Sequence, residues 1–333
     1  MNPIKSTVPV RSGNLALLPA IIGAAICLFF IRNGFVFFFL LPLGFIGYGW
    51  GPKTLWSATG FAILGNFVLT FFIGMIIRVP GMDMLWDILW FSATAAAFAW
   101  TIMPADERSL QIPGSQRLAI GASLSALIFI GLSARAFDSP DFYDLIKNQI
   151  EAVSALFFSG IGPEAFDMDL VIGFLRNVIM RGGALVTTVV LLFMNRQLGI
   201  FLIRIFGGKR RPNVFVNFHV HPRLFWALLF SVLLLLASNA FAWENFIIVL
   251  SNVVILCIMM FLAQGYGIIK YFTLKPAFPP FLRFMLPVFL VIAVFWPGVN
   301  AFVFGAIVIL GIVENWVAFR PVNISGSPAT PQA

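Results

Sequence analysis

Three groups of polar residues lie inside or at the ends of apolar stretches, where a side chain without a task is costly. Arg176, Asn177 and Arg181 open an apolar run over 177–195. Asn177 and Arg181 are four apart and share a helix face. Arg181 lies about 7–8 Å further along the axis than Arg176 at 1.5 Å per residue. Gly182 and Gly183 follow, where a neighbouring helix or a ligand can approach closely. That spacing describes a cationic pocket for an anionic ligand. The plainer reading is that these arginines reach for headgroups or pair with the acids of 138–170. The second group is Lys270 and Glu314, which close two later runs and are expected at similar depth as an inner ion pair. The third is Gln264, about 9 Å along the same helix from Lys270 and flanked by Gly265 and Gly267. It could bind a ligand or bond a neighbouring helix, and the latter is the commoner use of such amides. Asn66, Asn239 and Asn252 share the ambiguity.

Enzyme signatures are missing. There is no GxSxG, no Walker loop and no HExxH. His219 and His221 have no cysteine or acid nearby at metal-ligand spacing, and Cys27 and Cys257 both sit in apolar runs. No catalytic residue, metal ligand or cofactor is therefore assigned. An enzyme of envelope glycans or lipids that uses Arg176 or Arg181 stays a minor reading.

The elements that would hold these residues follow from composition. The chain has 333 residues, 60% hydrophobic and only 10% charged, with 39 phenylalanines. A soluble chain carries about 25% charged residues, so most of this surface must face lipid. The +8 net charge is read as loop bias, not as a nucleic-acid surface. Apolar runs fall near 15–32, 34–50, 55–77, 84–103, 118–137, 177–195, 224–242, 246–270, 281–297 and 299–318. The expected fold is an all-α polytopic transmembrane bundle of about ten spans, since lipid leaves no partner for an unsatisfied backbone. The runs over 34–50, with Pro42, and 281–297, with Pro287, are the weakest and could be broken or re-entrant.

With the N-terminus inside and ten crossings, fifteen of the 21 lysines and arginines fall inside and six outside, which sets both termini in the cytoplasm. The tryptophans fall at predicted span ends, as an interfacial belt does. Residues 1–14 lead into the first run with no small-residue cleavage site, so a cleaved signal peptide is not expected.

Organisation follows from these runs: N-terminal transmembrane helices over 1–137, an acidic outer segment over 138–170, C-terminal helices over 171–320, and a polar tail over 321–333 expected to be disordered. A split of the bundle near 200–215 is natural. In the outer segment Phe142, Leu145, Ile146, Val153, Leu156 and Phe157 recur at helical spacing, which reads as an amphipathic helix on the surface or a lid. The cytoplasmic loop over 197–223 holds Arg204, Lys209, Arg210 and Arg211, a topology determinant facing anionic lipid or a docking face for a partner. Ala20 and Ala24 have small-xxx-small spacing, which permits close helix contact.

The C-terminal third, roughly 214–320, carries FHVHPRLFW from Phe218 to Trp226, FLAQGYGIIKYF from Phe261 to Phe272, and GIVENWVAFR from Gly311 to Arg320. On these segments the chain resembles the YybS-like family of uncharacterised bacterial membrane proteins, with Glu314 where that pattern more often has aspartate. The family is distantly similar to the substrate-binding membrane subunits of energy-coupling-factor importers. That resemblance implies a bacterial inner-membrane location, a membrane coupling subunit and two ATPases as partners, and a docking role for Ala20 and Ala24. Those subunits have about six spans against about ten here.

The leading functional expectation is a substrate-handling subunit of a small-molecule transporter, with Arg176, Asn177, Arg181 and Gln264 toward the ligand. The alternative is a non-catalytic scaffold or assembly factor of a cell-envelope complex. Its docking faces would be the acidic outer segment and the Lys209–Arg211 cluster.

Overall fold

The structure, a computed structural model, describes residues 17–77, 81–103, 114–157, 167–206, 218–296 and 298–320. The helices are α1 Leu17–Arg32, α2 Leu41–Trp50, α3 Pro52–Ile77, α4 Gly81–Ile102, α5 Gly114–Phe137, α6 Pro140–Phe157, α7 Met168–Val178, α8 Ala184–Ile205, α9 Arg223–Ala240, α10 Glu244–Leu274, α11 Pro280–Phe295 and α12 Val299–Val313. No strand occurs among the described residues. The chain divides between Arg210 and Arg211 into two compact units. The Lys209, Arg210 and Arg211 cluster and the 321–333 tail lie outside the described residues.

Among the described residues six helical segments are long and apolar enough to cross a membrane: Pro52–Ile76, Met84–Ile102, Gln116–Phe137, Asp169–Ile205, Arg223–Ala240 and Glu244–Leu274. Leu17–Arg32, Pro280–Leu290 and Val299–Val313 are apolar but shorter. This is the build of a multi-pass membrane protein. The exposed surface agrees with it. Phe67, Phe71, Phe72, Met75 and Ile76 of α3 all face outward, as lipid-facing side chains do.

The first unit is organised around α2, its shortest helix. Phe39, Leu40 and Leu43 are fully buried, against Phe91 and Phe98 of α4 and Leu191 and Leu192 of α8. Gly44 lets this happen. A Cβ on Gly199 of α8 would stand 3.2 Å from the Gly44 carbonyl carbon, so the two backbones nearly touch. Where the sequence pattern predicts a span over 34–50, the structure has a chain of turns followed by ten helical residues. Ten residues rise about 15 Å, half of a 30 Å hydrocarbon core. The physical reason is local. Asn33-Gly34 ends α1, with Gly34 at φ +80°, and Pro42 is tolerated only in the first turn of a new helix. The turns close on themselves: Phe35 N donates to Phe30 O at 2.9 Å, Phe38 N to Phe35 O at 2.9 Å and Leu41 N to Phe38 O at 3.0 Å. Asn195 of α8 covers one remaining carbonyl, donating from Nδ2 to Phe37 O at 2.7 Å.

The apolar run predicted to begin at 177 is helical from Met168 and continues to Ile205. It is interrupted by one π-helical turn over Ile179–Gly183, where Gly182 takes φ 140°. Asp167 caps its start by accepting from Leu170 N at 3.2 Å. The predicted amphipathic segment supplies α6, with Asp141 in its first turn.

In the second unit α10 packs against α9 and α12. The α10–α12 seam depends on two glycines. A Cβ on Gly265 would overlap the Ile307 carbonyl oxygen, and one on Gly311 would overlap that of Phe261. Carbonyls are backbone and cannot swing aside as a side-chain tip can. Gly265→Ala and Gly311→Ala are each expected to destabilise the protein by about 1–3 kcal/mol through overpacking. Gly305→Ala, which meets nothing within 4 Å, is expected to be neutral. Thermal unfolding of the three variants in detergent checks this, and equal midpoints would contradict the seam.

Candidate functional site

The first helix ends on a charge. Arg32 of α1 donates from Nη2 to Asn66 Oδ1 of α3 at 2.7 Å and to Asp87 Oδ2 of α4 at 2.7 Å, and also bonds Thr70 Oγ1. The Thr70 hydroxyl in turn donates to Asp87 Oδ2 at 2.7 Å. Three helices are thus tied by one guanidinium. The Arg32 and Asp87 side chains are 30% and 26% exposed, so the pair is neither sealed nor free. Asn66 is fully buried.

The amide of Asn66 has a fixed sense. A guanidinium only donates, so the atom facing it must be the oxygen. The nitrogen then points elsewhere, and Asn66 Nδ2 is buried with no acceptor among the described residues. Such a group costs about 1–3 kcal/mol. Both hydrogen bonds described for Asp87 fall on Oδ2.

The junction sits below the apolar end of its helices. A Cβ on Gly65 of α3 would meet Leu28 of α1, and one on Gly74 would meet Met84 of α4. So α1 runs alongside α3 in the same direction and stops near Asn66, while α4 returns. Asn66 is eleven residues, about 16 Å, from the end of α3 at Ile77. Between them Phe71, Phe72, Met75 and Ile76 are exposed, and on α4 the exposed Leu85 and Leu89 flank Asp87.

The residues singled out from the sequence are distributed otherwise. Arg176 pairs with Asp138 at 3.1 Å, with side chains 47% and 65% exposed. This is the plainer of the two expectations for Arg176. Asn177 and Arg181 are exposed, and Arg181 lies on the π turn. Beside them Tyr143 donates its phenol to Asp169, which holds the Tyr143 proton above its usual range. Ala20 and Ala24 are buried with Ile46 of α2 and Ala58 and Ala62 of α3. Their small-residue face packs on the chain's own helices. Gln264 belongs to the second unit. Its Oε1 accepts from Val220 N at 2.7 Å and its Nε2 donates to Gly311 O at 3.0 Å. Both ends of the amide are committed to packing.

Glu314 also has a different partner from the one expected. Arg320 donates from Nε to Glu314 Oε1 at 2.7 Å and from Nη2 to Oε2, and it reaches Phe218 O at 2.9 Å. His219 Nε2 lies 3.9 Å from Glu314 Oε1. Lys270 stands over the Tyr266 ring at 5.8 Å. Arg320, rather than Lys270, supplies the described ion pair because the chain turns back after α12 and brings it over Glu314. The segments from Phe218, Phe261 and Gly311 thus meet at one buried cluster.

No protein-family model matches the chain, and neither a curated protein nor a solved structure shows significant similarity to it. The site rests on geometry alone. Among the described residues no group of three histidine, cysteine, aspartate or glutamate side chains could hold a metal.

Arg32 and Asp87 were not singled out in the sequence. The signals were an arginine closing the first apolar run and one aspartate inside the fourth. Two expectations follow. Arg176→Ala should change stability by less than about 1 kcal/mol, as exposed pairs do. Arg320→Met should cost about 3–5 kcal/mol by leaving Glu314 buried and unpaired, and Glu314→Leu with Arg320→Met should recover most of that. Unfolding midpoints of the single and double variants check both.

Proposed function

We propose that this chain is the substrate-handling subunit of a small-molecule transporter, and that Arg32, Asn66, Thr70 and Asp87 line its substrate path. One observation carries the reading: a partly exposed ion pair and an unmatched buried amide lie below lipid-facing apolar surface, beside a break between two short helices. Ionisable groups at that depth mark substrate or ion paths, and broken helices form such sites in transporters.

The same geometry informs the topology. Ile46 of α2 lies against Gly23 of α1, so the two short helices return on each other. As a re-entrant hairpin or as two crossings they begin and end on one side. That arrangement is compatible with the proposed cytoplasmic placement of both termini, and in this reading Arg32 moves from the outer set into the membrane. A ten-fold count treats this hairpin, α11 and α12 as crossings. The bacterial cytoplasmic membrane and a separate energy-coupling partner are the setting that the family resemblance supports.

Water access is the test. In a background with Cys27 and Cys257 changed to alanine, Thr70→Cys in intact membranes is expected to react with a membrane-impermeant maleimide from the outer side. Ile76→Cys, on the lipid face, is expected not to. A Thr70→Cys thiol that stays unreactive from both sides would remove the path. Recovery of envelope proteins and no energy source in a mild-detergent purification would favour the scaffold reading instead.

A further inference from the structure

We infer that the ligand of the Arg32 junction is a small zwitterion carrying one carboxylate and one ammonium, as an amino acid does. This deepens the substrate-handling reading and rests on it. The unmet valences carry the argument. Asn66 Nδ2 is a buried donor with no acceptor among the described residues, and its direction is fixed because its oxygen faces a guanidinium. That demands an acceptor oxygen. All three bonds described for Arg32 leave from Nη2, and none is described for the other N–H groups of its fork. Both bonds described for Asp87 fall on one oxygen, and its carboxylate is the only acidic group among the described residues of the network. The other oxygen suits a cationic donor. Arg32 Nη2 lies 2.7 Å from both Asn66 Oδ1 and Asp87 Oδ2, so the residue with the free donor and the residue with the free acceptor oxygen meet at one guanidinium.

Charge balance then chooses among ligands. Arg32 and Asp87 sum to zero. A lone carboxylate or phosphate would leave the junction net negative, and a lone amine would leave it net positive. At a site flanked by lipid-facing Leu85 and Leu89, an uncompensated charge is heavily penalised. A zwitterion adds none. Its carboxylate takes Arg32 and Asn66, its ammonium takes Asp87, and one internal pair becomes two.

The experiment uses the full chain in mild detergent and follows thermal unfolding. The probes are glycine, L-leucine and L-glutamine, each with its deaminated acid and its decarboxylated amine. A ligand that prefers the folded state raises the midpoint. At least one amino acid is expected to raise it at millimolar concentration while its matched acid and amine do not. Asn66→Leu and Asp87→Asn should each weaken the apparent Kd at least tenfold. The ligand-free midpoint of Asn66→Leu reports its folding. An acid or an amine that matches its amino acid overturns the zwitterion and leaves the transporter reading standing. A shift that survives both substitutions places the binding elsewhere and also overturns it. No shift with any probe overturns the zwitterion and leaves the substrate-handling reading to the labelling of Thr70→Cys.

Discussion

A guanidinium keeps its proton under any condition a cell offers, so the charge at the end of α1 has to be met wherever the fold puts it. Arg32 meets it with an amide and a hydroxyl from α3 and a carboxylate from α4. Much of the first unit depends on that bond set. It fixes how far α1 runs along α3, because the side chain must reach both Asn66 and Thr70, one helical turn apart. It holds α4 against α3 through Thr70, whose hydroxyl bonds both charged partners. It lies directly before the Asn33-Gly34 turn that ends α1, after which α2 enters the core only ten residues long.

The two units handle buried charge in opposite ways. In the second, Glu314 and Arg320 are 3% and 1% exposed, both carboxylate oxygens are taken, and a backbone carbonyl shares the guanidinium. A pair so enclosed adds little net stability, since desolvation offsets the attraction. What it adds is position: it holds residues 218–220 against the end of α12, and Gln264 repeats the service from α10. The Arg32–Asp87 pair is partly open, uses one oxygen of its carboxylate and leaves an amide unmatched beside it. A closed network is architecture. An open one with valence to spare is where a ligand gains most.

How much of this could be seen in the sequence differs by residue. The apolar helices were legible because lipid imposes a coarse rule, and α3, α4, α5, α9 and α10 all lie where runs of twenty or so apolar residues predict them. Asn66 stood out for being polar in the middle of such a run. Arg32 did not, because an arginine at the end of a run is also what an interfacial anchor looks like. Only the registry of α1 against α3, set by Leu28 meeting Gly65, separates the two. Arg320 was hidden for a similar reason. It follows the last apolar run as a topology charge would, and its six-residue return to Glu314 depends on turns that carry no periodic signal. Arg176 and Arg181 had the opposite history. Their spacing on one helix was clear, but spacing says nothing about which face meets water.

The break between α1 and α2 is the feature most easily dismissed as an imperfect helix, and its bonding argues otherwise. A frayed end leaves donors to solvent. Here the amides of Asn33, Phe35, Phe38 and Leu41 all find carbonyls within the segment, and Asn195 reaches in from another helix for the carbonyl of Phe37. Phe35, Phe37 and Phe38 face outward while Phe39 and Leu40 are fully buried. The segment is therefore held from both sides. Non-helical backbone persists at membrane depth only where it is satisfied by protein or lines a cavity, and these bonds satisfy part of it. Its fixed course keeps α1 from running on past Asn66. The ends of α1 and the flanks of α3 and α4 are thereby held in one arrangement, and the ligand proposed for this junction would bind there with little ordering cost.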